Sequence, residues 1–178
     1  MKLEYRRLYA DPNREAIAAL ARERALPRAS HDDRTVEDVA QEAAVGVSIS
    51  EFPVTLEAAA AAREKGLFVL MGGPNLVLGG SHSGNVSVAD VAMRGWLDAL
   101  TSDYVPGSLL HGAFILAREH GFPLERAIAM VTSAPAAMVG LNDRGAIETG
   151  LRADLVQVRP LAKVPRVVSV WRAGRRVA

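Results

Sequence analysis

The chain has 178 residues, is 49% hydrophobic and 23% charged, and carries a formal net charge of +1 at pH 7. This is the composition of a globular chain long enough for one sizeable core, and so even a balance leaves no electrostatic footprint for nucleic acid. It has no cysteine, hence no disulfide framework and no thiol catalysis; no apolar run nears the ~20 residues of a membrane span, and the start MKLEYRRLYADPNRE lacks the apolar centre of a signal peptide, so a cytoplasmic location is expected.

From residue 11 to about residue 133, short apolar runs alternate with helix-like segments. DPNREAIAALARERA reads as a helix, with Asp11 as N-cap and Pro12 in the first turn. LPRAS follows as a short strand. TVEDVAQEAA opens with Thr35 and has Asp38 three residues on, a variant of the capping box. GVSISEF reads as a strand, TLEAAAAAREK as a helix capped by Thr55 and ended by Gly66, and LFVLMG as a buried strand. SVADVAMRG repeats the box with Ser87 and Asp90; LDALTSDY reads as a strand and SLLHGAFILAREHG as a helix closed by Gly121. PLERAIAMVTSAPAAMVGL adds further helix with a break near Pro135. Such alternation predicts parallel βαβ units in a (β/α) barrel or a doubly wound sheet, and the lack of a G-x-G-x-x-G after the first strand weakens the dinucleotide-binding form. After Gly140 short alternating strands divided by Gly and Pro predict a small β appendage, with seven cations from residue 151 onward against one acid, Asp154. The division expected is 1–139 and 140–178.

In parallel α/β folds ligands gather at the carboxyl ends of the strands. The residues that follow the four apolar runs are SHDD with His31, SEF with Glu51, a glycine-rich stretch MGGPNLVLGGSHSGN, and SDY with Asp103. His31, Glu51 and Asp103 have the donor chemistry for a divalent metal such as Zn²⁺, Mn²⁺ or Mg²⁺. Each also has a plain alternative: Asp103 as a helix cap, with Ser108 better placed for that, Glu51 as an exposed carboxylate, Asp32 and Asp33 as caps of the helix at Thr35. The glycine stretch offers Gly72, Gly73, Asn75, Gly79, Gly80, Ser81 and His82 to an anion, with Arg34 as a helper, or else forms a plain Ω-loop. His111 reads as a packing residue, and His120 as a partner of a helix dipole.

SHDD, SEFP, GGSHSGN and SDYVP in this order, with GLRADLV near the end, resemble the amidohydrolase superfamily. Within it they are most similar to the diphosphatases of the carbon–phosphorus lyase pathway of phosphonate catabolism. The resemblance runs from about Arg14 to the C-terminus and implies the second half of a metal-dependent (β/α)8 barrel, strands five to eight, followed by part of a small β-sandwich. It implies a hydrolase that splits a ribose 5-triphosphate and releases pyrophosphate. His31 and Asp103 then correspond to the fifth- and eighth-strand metal ligands, Asp103 also taking a proton from water. Glu51 stands where many relatives have histidine, and the loop with His82 corresponds to a substrate-contacting loop. Relatives run to about twice this length, and their first-strand histidines and bridging ligand have no counterpart in residues 1–30. The expectation is an incomplete metal site, and self-association or a complementary N-terminal half as partner. Two other readings stay open: a non-catalytic half-barrel or assembly subunit, and an amidohydrolase for a cyclic amide.

Overall fold

Four short parallel strands, β1 (Ala29–His31), β2 (Ile49–Glu51), β3 (Phe68–Gly72) and β4 (Ala99–Thr101), lie side by side in chain order in the computed structural model, which describes residues 6–80, 84–161 and 164–178. The register pairs Ser30 with Ser50, His31 with Glu51, Glu51 with Leu70, and Leu70 with Ala99. Because side chains alternate along a strand, Ser30, Ser50, Val69, Met71 and Leu100 share one face. Ala29, His31, Ile49, Glu51, Phe68, Leu70 and Thr101 share the other.

The helices that connect the strands start where the sequence predicts. In α2 (Val36–Ala44) Thr35 and Asp38 form the full reciprocal box, and α3 (Leu56–Glu64) is capped by Thr55 and followed by Gly66 at φ +74°. Ser87 caps α5 (Val88–Met93). The remaining helices are α1 (Asp11–Glu23), α4 (Gly73–Val77), α6 (Ser108–Glu119), α7 (Leu124–Ala129) and α8 (Ser133–Met138). Val39, Ala58, Ala62, Val88, Val91 and Leu116 bring them down onto Val69, Met71 and Leu100 to form the main core. On the opposite face Met138 and Ala134 of α8 form a small apolar cluster with Ile49, Leu70 and Ala99, and Phe68 stays 38% exposed.

Five local expectations need correction. Asp11 is the first helical residue, not the cap, because a π-helical turn at Arg6–Ala10 runs straight into α1. The glycine stretch is no open loop throughout: with Pro74 in its first turn, Gly73–Val77 winds into α4. LDALTSDY forms a strand only over Ala99–Thr101; just before it Asp98 is tied to Val69 of β3 twice, its N–H donating to the Val69 carbonyl at 3.0 Å and its carboxylate accepting the Val69 N–H at 2.7 Å. The break before α8 falls at Thr132 (φ −134°, ψ −88°), not at Pro135. Ser108 does not cap α6; it is the first residue of that helix, buried, and its hydroxyl donates to the Ser102 carbonyl at 3.3 Å.

Beyond Gly150, β5 (Leu155–Arg159), β6 (Arg166–Arg172) and β7 (Arg175–Arg176) form a separate antiparallel sheet with a bulge at Gln157/Val158. The Arg118 guanidinium of α6 donates to the Leu161 carbonyl at 2.5 Å, tying the helix to this part of the chain.

Candidate functional site

The residue just past β1 is Asp32 at φ +60°, just past β2 it is Phe52 at φ +55°, and two residues past β4 it is Asp103 at φ +47°. Left-handed backbone at non-glycine residues is costly and collects where a chain must turn side chains toward a ligand. Three of the four strands end this way, all at the same rim of the sheet.

His31 is exposed at this rim. Its Nδ1 lies 3.4 Å from an Asp32 carboxylate oxygen, and its ring meets Phe52 edge-on at 5.2 Å between centroids. Phe52 in turn fills the room left by Gly72, where an added Cβ would come within 3.3 Å of the Phe52 ring. Behind the rim the Asp33 carboxylate is buried and accepts the hydroxyls of Ser30 and Ser50, each at 2.6 Å. Asp33 is therefore no helix cap; the cap is Thr35, and Asp33 turns inward between two strands.

A cavity of about 430 Å³ opens at the rim, lined by His31, Asp32, Phe52, Pro74, Asn75, Asp103 and others, with Gly72 and Gly80 on its wall. His31 and Asp103 thus share one cavity. Glu51, although in register with His31, is half-buried and does not line it. Arg34 also lies outside the lining: its carbonyl accepts the Thr55 hydroxyl at 2.9 Å, and its N–H is held by Asp38. Gly73 is a packing glycine, because a Cβ there would come within 2.8 Å of the Ser108 hydroxyl oxygen. Asn75 has a structural task beside its place in the wall, since its Oδ1 accepts the Val88 N–H at the start of α5 at 3.0 Å. Gly79 (φ +76°) and Gly80 (φ +153°) need glycine for their backbone alone. Ser81 and His82 lie outside the described residues. His111 is half-buried on α6, and His120 follows that helix.

Among the described residues no group of three or more His, Asp or Glu side chains stands close enough to hold one metal ion. The donor types suit a divalent cation, but three protein donors are the usual minimum. The chain therefore does not assemble a complete centre from its described residues. The described lining also holds no lysine or arginine. No helix among the described residues is long and apolar enough to cross a membrane.

Residues 8–178 match the Amidohydrolase family. The chain belongs to that family. Amidohydrolases are generally metal-dependent, although the described residues of this rim fall short of a full ligand set. A curated relative, the alpha-D-ribose 1-methylphosphonate 5-triphosphate diphosphatase of Escherichia coli (strain K12), is 49% identical over 171 residues. The match takes in 95% of this chain and 45% of the relative, so the chain spans about half the length of the curated relative it matches. Solved amidohydrolase-fold structures agree on architecture. A prolidase complexed with N-methylphosphonate-L-proline superposes with TM-score 0.65 at 22% identity, covering 92% of this chain and 48% of the other. The ochratoxinase of A. niger gives 0.64 at 17% identity, covering 91% and 44%. At such identities these two speak for the fold alone.

The sequence hides one member of this amidohydrolase rim. Asp33 looks like one more acid in SHDD, and only the paired strands reveal that Ser30 and Ser50 converge on it. The signal available was the serine that precedes each strand-ending candidate, Ser30 before His31 and Ser50 before Glu51.

Proposed function

We propose that this chain supplies the strand-five-to-eight half of a metal-dependent amidohydrolase barrel, with residues 1–139 as the partial barrel and 140–178 as part of the adjoining sandwich. The reaction is cleavage of a ribose 5-triphosphate of the phosphonate pathway with release of pyrophosphate. The observation that carries this reading is the 49% identity to the E. coli diphosphatase over 95% of this chain. It is supported by His31 and Asp103 facing one cavity at the strand ends.

In this reading His31 and Asp103, which share the cavity, are metal donors of this chain, Glu51 joins them once its side chain turns from its half-buried place toward the cavity, and the remaining donors come from a complementary half or a second copy. Asp103 also accepts the proton of the attacking water, a role that suits an exposed carboxylate at the mouth of the cavity. The substrate is a highly charged anion. With no lysine or arginine in the described lining, its phosphates depend on the N–H groups of the loop at 72–85, on His82, on Arg34 after some rearrangement, and on cations brought from outside the chain. The same reading puts the protein in the cytoplasm. A second, non-catalytic reading, a scaffold or assembly half, is favoured by the described residues bringing no three donors together.

The test is pyrophosphate release from α-D-ribose 1-methylphosphonate 5-triphosphate with Zn²⁺ or Mn²⁺. The chain alone is expected to show background turnover, and the chain mixed with the N-terminal half of the E. coli diphosphatase is expected to regain activity that Asp103→Asn abolishes. Robust release by the chain alone refutes the incomplete site. A mixed complex that forms but stays inert favours the non-catalytic reading.

A further inference from the structure

We propose that Asp33 is a positioning residue: from the helix-covered side of the sheet it fixes the ends of β1 and β2, and thereby sets how His31, Glu51 and Phe52 stand on the rim. The inference rests on the assignment of His31 and Glu51 to the site.

Ser30 and Ser50 are register partners on the covered face, and both hydroxyls donate to the same Asp33 oxygen at 2.6 Å. That length belongs to hydroxyls held by a carboxylate. All three groups are buried, Ser50 at 0% exposure. The main chain adds three ties at the same place: Asp32 N–H donates to the Glu51 carbonyl at 3.0 Å, Val54 N–H to the Asp33 carbonyl at 2.9 Å, and Phe52 N–H to the Leu70 carbonyl of β3 at 2.9 Å. The two turns so held are the left-handed ones at Asp32 and Phe52, which the backbone would leave if released. One carboxylate serves both strands because the second segment, Ser50-Glu51-Phe52-Pro53, has proline where the first has Asp33. Asp33 does not line the cavity, so whatever it does there it does through its neighbours. The residue pair that reports on it is His31 and Phe52, whose rings touch across the two strands.

The test is solution NMR on the whole chain, reading amide hydrogen exchange together with nuclear Overhauser contacts between the His31 imidazole and the Phe52 ring. In Asp33→Asn the Asp32 and Phe52 amides are expected to exchange at least tenfold faster relative to a core amide such as Val69, and the His31–Phe52 cross-peaks to fall by half or more. Ser50→Ala is expected to act chiefly at Phe52, and Ser30→Ala chiefly at Asp32. Val91→Ala, a core change on α5 outside the Ser30–Asp33–Ser50 hydrogen bonds, should speed the core and rim amides by a common factor and leave the cross-peaks intact. The proposal is overturned if Asp33→Asn speeds Asp32 and Phe52 no more than the core and keeps the cross-peaks. Should Asp33→Asn not fold, the two serine variants decide on the same criteria. Zn²⁺ titration of His31→Gln, carried out in the mixed complex with the N-terminal half of the E. coli diphosphatase, separates the underlying assignment: unchanged affinity removes His31 from the metal site and leaves the clamp to stand or fall on the exchange data.

Discussion

The two faces of the parallel sheet contrast sharply. One is sealed: Val69 and Leu100 carry 0% and 3% exposure under helices whose own contacts, Leu116, Val91 and Val39, are at 0%. The other bears His31, Glu51 and Phe68 and is covered only in part, by α8. Parallel sheets normally bury both faces, whereas Phe68 on this face stays 38% exposed. The sealed face holds the main core; the other face bears His31 and Glu51, the two residues that the proposed function assigns to the metal.

The strongest way to sharpen this contrast is to truncate one residue on each face. Leu116→Ala removes a fully buried side chain and is expected to cost roughly 2–5 kcal/mol in urea denaturation. Phe68→Ser, on the open face, should cost under about 1 kcal/mol in the isolated chain. An equal loss at Phe68 would mean that the face is covered in solution, and size measurement would then show an assembly. Next in size is Gly73→Ala. Its methyl group would meet the Ser108 side-chain oxygen at 2.8 Å and its carbonyl oxygen at 2.9 Å, backbone that cannot easily yield. A loss of about 1–3 kcal/mol is expected from overpacking where α4 meets α6. Thr55→Ala is smaller again, about 1 kcal/mol, because it frees the Ala58 N–H and the Arg34 carbonyl at one helix start.

Much of the sealed side was legible from the sequence, because its signals are local. Thr35, Thr55 and Ser87 announced their helices through cap chemistry that acts within three residues, and Gly66 announced a stop through a positive φ. The rim was legible in outline, since parallel topology alone sends the ends of successive strands to one edge, which is how His31 and Asp103 come to share a cavity. What escaped was non-local or conformational. Nothing in SHDD says that Asp33 turns inward to Ser50, seventeen residues away. Nothing in GGPNLV says that its glycines serve helix α4 and its packing on α6 before they serve any ligand. Glu51 shows the limit of a register argument: it stands opposite His31 in the sheet, yet the cavity opens beyond it.

The smallest effect expected is a pH dependence at the edge of the sealed side. Asp38 accepts the N–H groups of Arg34 and Thr35 at 3.0 and 3.1 Å, and these bonds, that from Arg34 foremost, hold its carboxyl below the ordinary aspartate range. A carboxyl lowered in the folded state stabilises the fold above its unfolded pKa, and this contribution is lost as pH falls through the folded value. The window therefore lies below about pH 4. Asp143, held down by the Arg144 guanidinium, and Asp154, held down by the Ala173 N–H, lose their contributions in the same range. Asp38→Asn is expected to lower stability at pH 7 by only a few tenths of a kcal/mol, given the exposure of the cap and the screening of surface charge. Denaturation midpoints of wild type and variant should converge as pH is brought from 6 to 3. A gap that persists unchanged at pH 3 would mean that Asp38 acts through packing or helix propensity, and not through its charge on two backbone N–H groups.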